Sequence, residues 1–256
     1  MKSPINFEDL NAQLQELKKT PQYQADLHWL QGEFQQIEIL APLLLSRIPE
    51  LSQICEQETV RMEYTSGVTI HRGFYCPSPV FDLIVGGTKR GKITSRKPIK
   101  EKNWRSYGFD RNGRLLWCRE YFNGNLSYTE YLIHEGNHIY GIKVDSRGII
   151  SCLTDEFYEQ GRLAKLLLGM FFIDGKCQEL NTETYQYNND GLVSCLWRSI
   201  LMPAEYPPDF PVHLASSIPQ APILKRNFYT FHREHGLVCG YSSGDNYYKI
   251  PKPIKI

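Results

Sequence analysis

Nowhere in the 256 residues is there an apolar run long enough to cross a bilayer. The most apolar stretch, Ile37 to Leu45, is interrupted by Glu38 and Pro42 and is too short for a spanning helix. Also missing is the apolar core of an export signal: Met1 to Asp9 holds one Lys and two acids with no hydrophobic segment behind it. An excess of one charge sign is lacking as well. With 29 Lys+Arg against 28 Asp+Glu the formal net charge is +1, and nothing global favours nucleic acid, a membrane or an acidic partner. The seven cysteines, at 55, 76, 118, 152, 177, 195 and 239, include no C-x-x-C pair. An odd number of cysteines without an export signal implies reduced thiols and a cytoplasmic location. No G-x-S-x-G is present to mark a serine hydrolase. Val85 to Lys92 lacks the G-x-x-x-x-G-K-[ST] spacing of a phosphate loop and precedes no helical pattern, so it reads as a hairpin.

Aromatic residues are plentiful, with 16 Tyr and 12 Phe, and these favour half-buried strand positions. The first 58 residues have a different texture. Ile5, Phe7, Leu10, Leu14 and Leu17 follow helical spacing, with Lys18 and Lys19 suited to a helix C-terminus. Thr20-Pro21 reads as an N-cap followed by proline in the first turn of a second helix, which runs through Tyr23, Leu27, Leu30, Phe34 and Ile37. Pro42 should kink or end it, and Pro49 marks a further break before Leu51 to Gln57. With nine acids against four bases, this segment is acidic.

From about Val60 onward, short runs of Tyr, Phe, Ile, Val and Thr alternate with glycine turns. Glycines at 113, 124, 136, 148, 161, 175 and 191 are spaced 11, 12, 12, 13, 14 and 16 residues apart. The phrase around them is clearest in Tyr107 to Leu115, Ile142 to Ile150 and Tyr185 to Val193, with a late copy around Gly236. Asp or Asn at the first turn position can bond the backbone two residues on, and glycine takes the left-handed conformation that closes the loop. Spacing near twelve leaves ordinary strand lengths on either side, whereas glycine at that interval would break every candidate helix. Alternation would put Leu115, Trp117 and Arg119 on one face and Leu116 and Cys118 on the other. Cys118, Cys152, Cys195 and Cys239 then read as small strand fillers. Met202 to Ala221, with five prolines, reads as an extended surface loop.

The phrase aromatic-x-aromatic-Asp/Asn-x-x-Gly-x-Leu resembles the units of YD-repeat and MORN-variant β-meander proteins. Similar phrases occur in small cytosolic immunity proteins that neutralise polymorphic toxins. The resemblance spans roughly residues 105–200 and 227–241, and it implies a β scaffold that binds another protein and carries no catalytic residues.

Two segments offer chemistry of their own. His134-Glu135-Gly136-Asn137-His138 fits H-E-x-x-H, in which two histidines bind zinc and the glutamate is the general base, with Glu156 and Glu159 within range as a third ligand. That chemistry needs a helix, because i and i+4 must share a face. Gly136 is here a turn glycine of the repeat, so the pentapeptide reads as a hairpin tip with its histidines on opposite strands. The second segment, Thr88 to Arg105, carries Lys89, Arg90, Lys92, Arg96, Lys97, Lys100, Lys102 and Arg105 against the single acid Glu101. It reads as a solvated loop or a protected sheet edge, with Lys89, Arg90, Lys92, Arg96 and Lys97 as candidate binding residues.

The expectation is therefore an α+β chain, mainly β. A helical segment over residues 1–58 precedes a repetitive antiparallel meander of about ten to fourteen strands over 59–256, curled or folded into a sandwich. Functionally it is a non-catalytic protein-binding module of the immunity type, its partner a protein such as a cognate toxin, with no cofactor and neither membrane nor nucleic acid as partner. The competing readings are a zinc-dependent hydrolase built on His134, Glu135 and His138, and a carbohydrate or cell-wall binder using tyrosine-rich strands.

Overall fold

A computed structural model describes residues 15–85, 87–98, 101–172, 175–203 and 222–255. Helix α1 (Pro21–Ser46) and helix α2 (Ile48–Glu58) come first. Strand β1 (Arg61–Ser66) follows, then a segment with a 3-10 turn (Gly73–Tyr75) and the short helix α3 (Phe81–Ile84). The remaining strands are β2 (Lys92–Thr94), β3 (Trp104–Phe109), β4 (Leu115–Phe122), β5 (Asn125–Glu135), β6 (His138–Asp145), β7 (Ile150–Glu159), β8 (Arg162–Phe171), β9 (Cys177–Asn188), β10 (Gly191–Leu201), β11 (Ile223–Glu234), β12 (Leu237–Ser243) and β13 (Asn246–Ile254). Among the described residues these thirteen strands form one antiparallel sheet in the order β13 to β3, then β1, then β2. The sheet is not closed into a barrel, and among the described residues β2 and β13 have one partner each. The proline-rich segment and most of the expected first helix lie outside the described residues, although 15–18 are helical.

The turn glycines behave as the repeat requires. Gly113, Gly124, Gly136, Gly148, Gly161, Gly175, Gly191 and Gly236 all have φ between 59° and 123°. Beside them, Asp110 Oδ1 accepts hydrogen bonds from the Asn112 and Arg114 amides at 2.9 and 2.8 Å, and Asp145 Oδ1 does the same for Arg147 and Ile149 at 2.8 and 3.0 Å. Both carboxyls titrate below the usual aspartate range, because these donors and the neighbouring arginines outweigh desolvation. The turn between β12 and β13 at Gly244 is a further copy that the repeat alignment missed.

Three expectations change. Helix α1 runs on through Pro42 to Ser46. The imide costs one backbone bond, but Ala41 and Leu44 on either side are buried against the sheet, and tertiary packing decides the outcome. Leu115 does not share a face with Trp117, because a bulge shifts the register between Gly108↔Trp117 and Phe109↔Leu115. Leu115 therefore packs with Tyr107, Phe109 and Cys118, whereas Leu116 joins Trp117 on the opposite face. Finally, the stretch around Val85 to Lys92 is no hairpin. It closes a long excursion, residues 67–91, that leaves β1 and returns as β2 paired back onto it.

Both faces of the sheet are covered. On one face α1 buries Leu30, Phe34, Ile37, Ala41 and Leu44, and α2 adds Leu51 and Cys55, against Tyr131, Ile142, Leu153, Leu167, Leu180 and Ile200. Burying a side chain such as Leu30 or Ile37 completely contributes about 2 kcal/mol. The acids on this helix face are paired: Asp26 with Arg198 at 3.2 Å and Arg226 at 3.0 Å, and Glu33 with Lys165 at 3.0 Å. Excursion 67–91 lies on the opposite face as a strap, with Val80 packed among Leu166, Tyr185, Leu192, Cys195, Phe231 and Val238. Among the described residues no helix is long and apolar enough to cross a membrane.

Candidate functional site

The strap is held by polar contacts placed by strand alternation. Register pairs Leu132↔Gly141↔Thr154 across β5, β6 and β7, with Glu130 and Glu156 flanking that row on the strap face. Arg72 reaches down between them and is 2% exposed. Its Nη2 donates to Glu130 Oε1 at 2.7 Å and to Thr154 Oγ1 at 3.0 Å, and its Nη1 donates to Glu156. Gly141 makes the room. A Cβ there would lie 2.7 Å from Arg72 Nη2 and nearer still to Thr154 and Glu130. Arg72 itself adopts a left-handed φ of 53°, a local strain that these bonds and the Tyr107 hydroxyl on its carbonyl (3.2 Å) offset.

Two further points fasten the strap. Ser78 Oγ donates to Glu183 at 2.7 Å, and the Tyr185 hydroxyl donates to the same carboxylate. Arg90, a candidate binding residue in the sequence, is instead half-buried and internal. It donates to the carbonyls of Cys76 and Ser78 and pairs with Asp82 at 2.8 Å. His71, for which the sequence offers no partner, lies 3.1 Å from Glu130.

From Arg72 the charges continue outward as a ladder. Burial alone would raise Glu130, but Arg72 and His71 hold it well below the ordinary glutamate range. Lys143 sits one strand from Glu130 in the same row and donates to Glu120 Oε1 at 2.8 Å; Arg105 shares that oxygen at 3.1 Å. Desolvation opposes the charge on Glu120, yet the two cations pull its pKa down. Lys143 also lies 4.6 Å from the centre of the Tyr128 ring.

The ladder ends in an open cleft of about 640 Å³, lined by Arg105, Glu120, Tyr128, Asp145, Arg147 and Val68 among others. Register makes Arg105, Glu120, Tyr128 and Asp145 one cross-strand row over β3 to β6. Both oxygens of Asp145 are occupied by its own turn and by Arg147, at 2.9 and 2.7 Å to the Arg147 Nε and Nη2. Val68 on its rim packs beside Gly91, and Gly91 bounds a second hollow of about 520 Å³ with Ser66, Gly67, Lys89, Arg90 and Lys92. Beyond it β2 forms the sheet edge. Lys89, Lys92, Arg96 and Lys97 are all exposed there, and among the described residues none of them forms an ion pair with a carboxylate. Lys97 lies over the Trp104 ring at 5.0 Å. Lys100 lies outside the described residues.

The H-E-x-x-H segment is the tip of the β5–β6 hairpin, with Glu135↔His138 and His134↔Ile139 paired. Opposed residues share a face and successive ones alternate, so the two imidazoles project from opposite faces of the sheet. His134 Nε2 lies 2.9 Å from the Leu115 carbonyl oxygen, and His138 Nδ1 lies 2.7 Å from Asp155 on the helix side. Glu135 pairs with Arg47 at 2.8 Å, and Glu156 is committed to Arg72. Among the described residues no three His, Cys, Asp or Glu side chains converge as a metal site. Cys118, Cys152, Cys195 and Cys239 are buried, and burial raises the thiols of the first three.

No protein-family model matches the chain, and no curated protein matches it.

Proposed function

We propose that the chain is a non-catalytic protein-binding module, and within that class an immunity-type protein that holds a cognate toxin. The observation that carries this reading is the open cleft at the end of the charge ladder. Its acidic groups are satisfied by neighbouring cations or backbone donors, which suits recognition more than proton transfer. A general acid or base would need a pKa near the working pH, whereas Glu120 is pulled the other way. Large, mixed polar and aromatic concavities on rigid strands are suited to holding a partner in one orientation.

The test uses the full chain with a photo-cross-linking residue at exposed Ser146 beside the cleft, and a control at exposed Gln36 on α1. Cross-links to one partner from Ser146 and not from Gln36 support the binding reading. For the immunity role, co-expression with a neighbouring toxin-like gene should restore growth. Stoichiometric zinc in purified protein, lost in His138→Ala, would replace this reading with a hydrolase.

A further inference from the structure

We infer that the cleft and the adjoining β2 edge together receive an acidic, extended segment of the partner polypeptide. This deepens the protein-binding reading and rests on it. The first argument is charge. Within the cleft the lining charges balance, Arg105 and Arg147 standing against Glu120 and Asp145, with Lys143 of the ladder also on Glu120. The uncommitted charge lies at and beside the β2 edge and is positive: Lys89, Lys92, Arg96 and Lys97 are exposed and, among the described residues, without a carboxylate partner.

The second argument is the edge itself. Among the described residues strand β2 pairs only with β1, so its outer side presents backbone donors and acceptors to an added strand. Such an edge accepts an added strand by main-chain hydrogen bonds. Lysines on an edge repel neutral or basic strands by desolvation and like charge, but they complement an acidic one. The chemistry that protects this edge from indiscriminate pairing thus selects the sign of the segment that does pair. Nucleic acid fits less well. An extended peptide matches the open β2 edge with its own backbone donors and acceptors, which a phosphate backbone does not have.

The experiment measures fluorescence anisotropy of a labelled peptide of about ten residues with alternating Glu and Thr or Val. A Lys-for-Glu counterpart and a single-stranded oligonucleotide of equal charge serve as comparisons. Wild type should bind the acidic peptide, with affinity falling as salt rises, and should not bind the basic one. The variant Lys89→Glu/Lys92→Glu/Lys97→Glu should retain its circular dichroism and lose roughly tenfold or more in affinity. Tighter binding of the oligonucleotide, no binding of the acidic peptide, or equal affinity in the variant would each overturn the inference. If the partner cross-links at Ser146 while the acidic peptide neither binds nor competes, only this inference fails. If the partner cross-links elsewhere, the cleft reading fails with it.

Discussion

Glu183 is where the chemistry of a single residue is most exposed to measurement. It is 4% exposed, and burial raises its pKa despite hydrogen bonds from Ser78 and Tyr185 and the charge of Arg90, which act the other way. The folded chain therefore binds this proton more tightly than the unfolded chain does. Its contribution to stability is fully present below the ordinary value of 4.5 and declines as pH rises through the elevated folded value. Glu183→Gln should flatten the stability-versus-pH curve over that window in urea denaturation; an unchanged slope would contradict the assignment. Glu130 has the opposite sign. Its pKa is depressed, so its contribution is present above 4.5 and is lost as pH falls through the folded value. None of this can be read from the sequence, because both residues stand in runs of alternating strand residues like any other surface glutamate.

At the scale of elements, the strap was the part hidden from view. Residues 67–91 have no period, and their buried side chains, Ile70, Arg72, Ser78 and Val80, make sense only against a sheet built from distant strands. Arg72→Met should leave Glu130 and Glu156 facing each other without their cation, at a cost of about 3–5 kcal/mol. Hydrogen exchange should then accelerate across 67–91 more than in α1. Unaltered protection in the strap would show that Arg72 does not hold it. The hairpins, by contrast, were legible, because each is a local event: an Asp or Asn side chain bonding nearby amides, and a glycine at positive φ. Even there the bulge opposite Gly108 escaped detection, since nothing within β4 announces an extra residue. The edge-strand reading of the basic segment was legible in the same way, from lysine content, while the internal role of Arg90 was not.

For the molecule as a whole, the change of texture near residue 59 coincides with the end of α2 at Glu58, yet helices and sheet share one core. A chain lacking residues 1–58 would expose Ile142, Leu153, Leu167, Leu180 and Ile200 on the sheet face that the helices cover. It should aggregate on expression, seen as light scattering and loss of the soluble fraction. A monodisperse, cooperatively folding fragment would show that the sheet is stable without its helical cover.

Sequence by itself determined the meander: turn chemistry recurring every dozen residues leaves antiparallel neighbours as the local outcome, with Cys118, Cys152, Cys195 and Cys239 as buried strand residues. It also sufficed to set the two histidines of H-E-x-x-H on opposite strands of one hairpin. Tertiary structure alone decided which face the helices cover, where the strap crosses and which charges meet. Those depend on residues far apart in the chain, such as Arg72 with Glu130 and Glu156, or Arg105 with Glu120 and Lys143. Ion pairs of this kind carry no periodic signature, because a strand residue's charge is chosen by its cross-sheet neighbour and not by its neighbour in sequence.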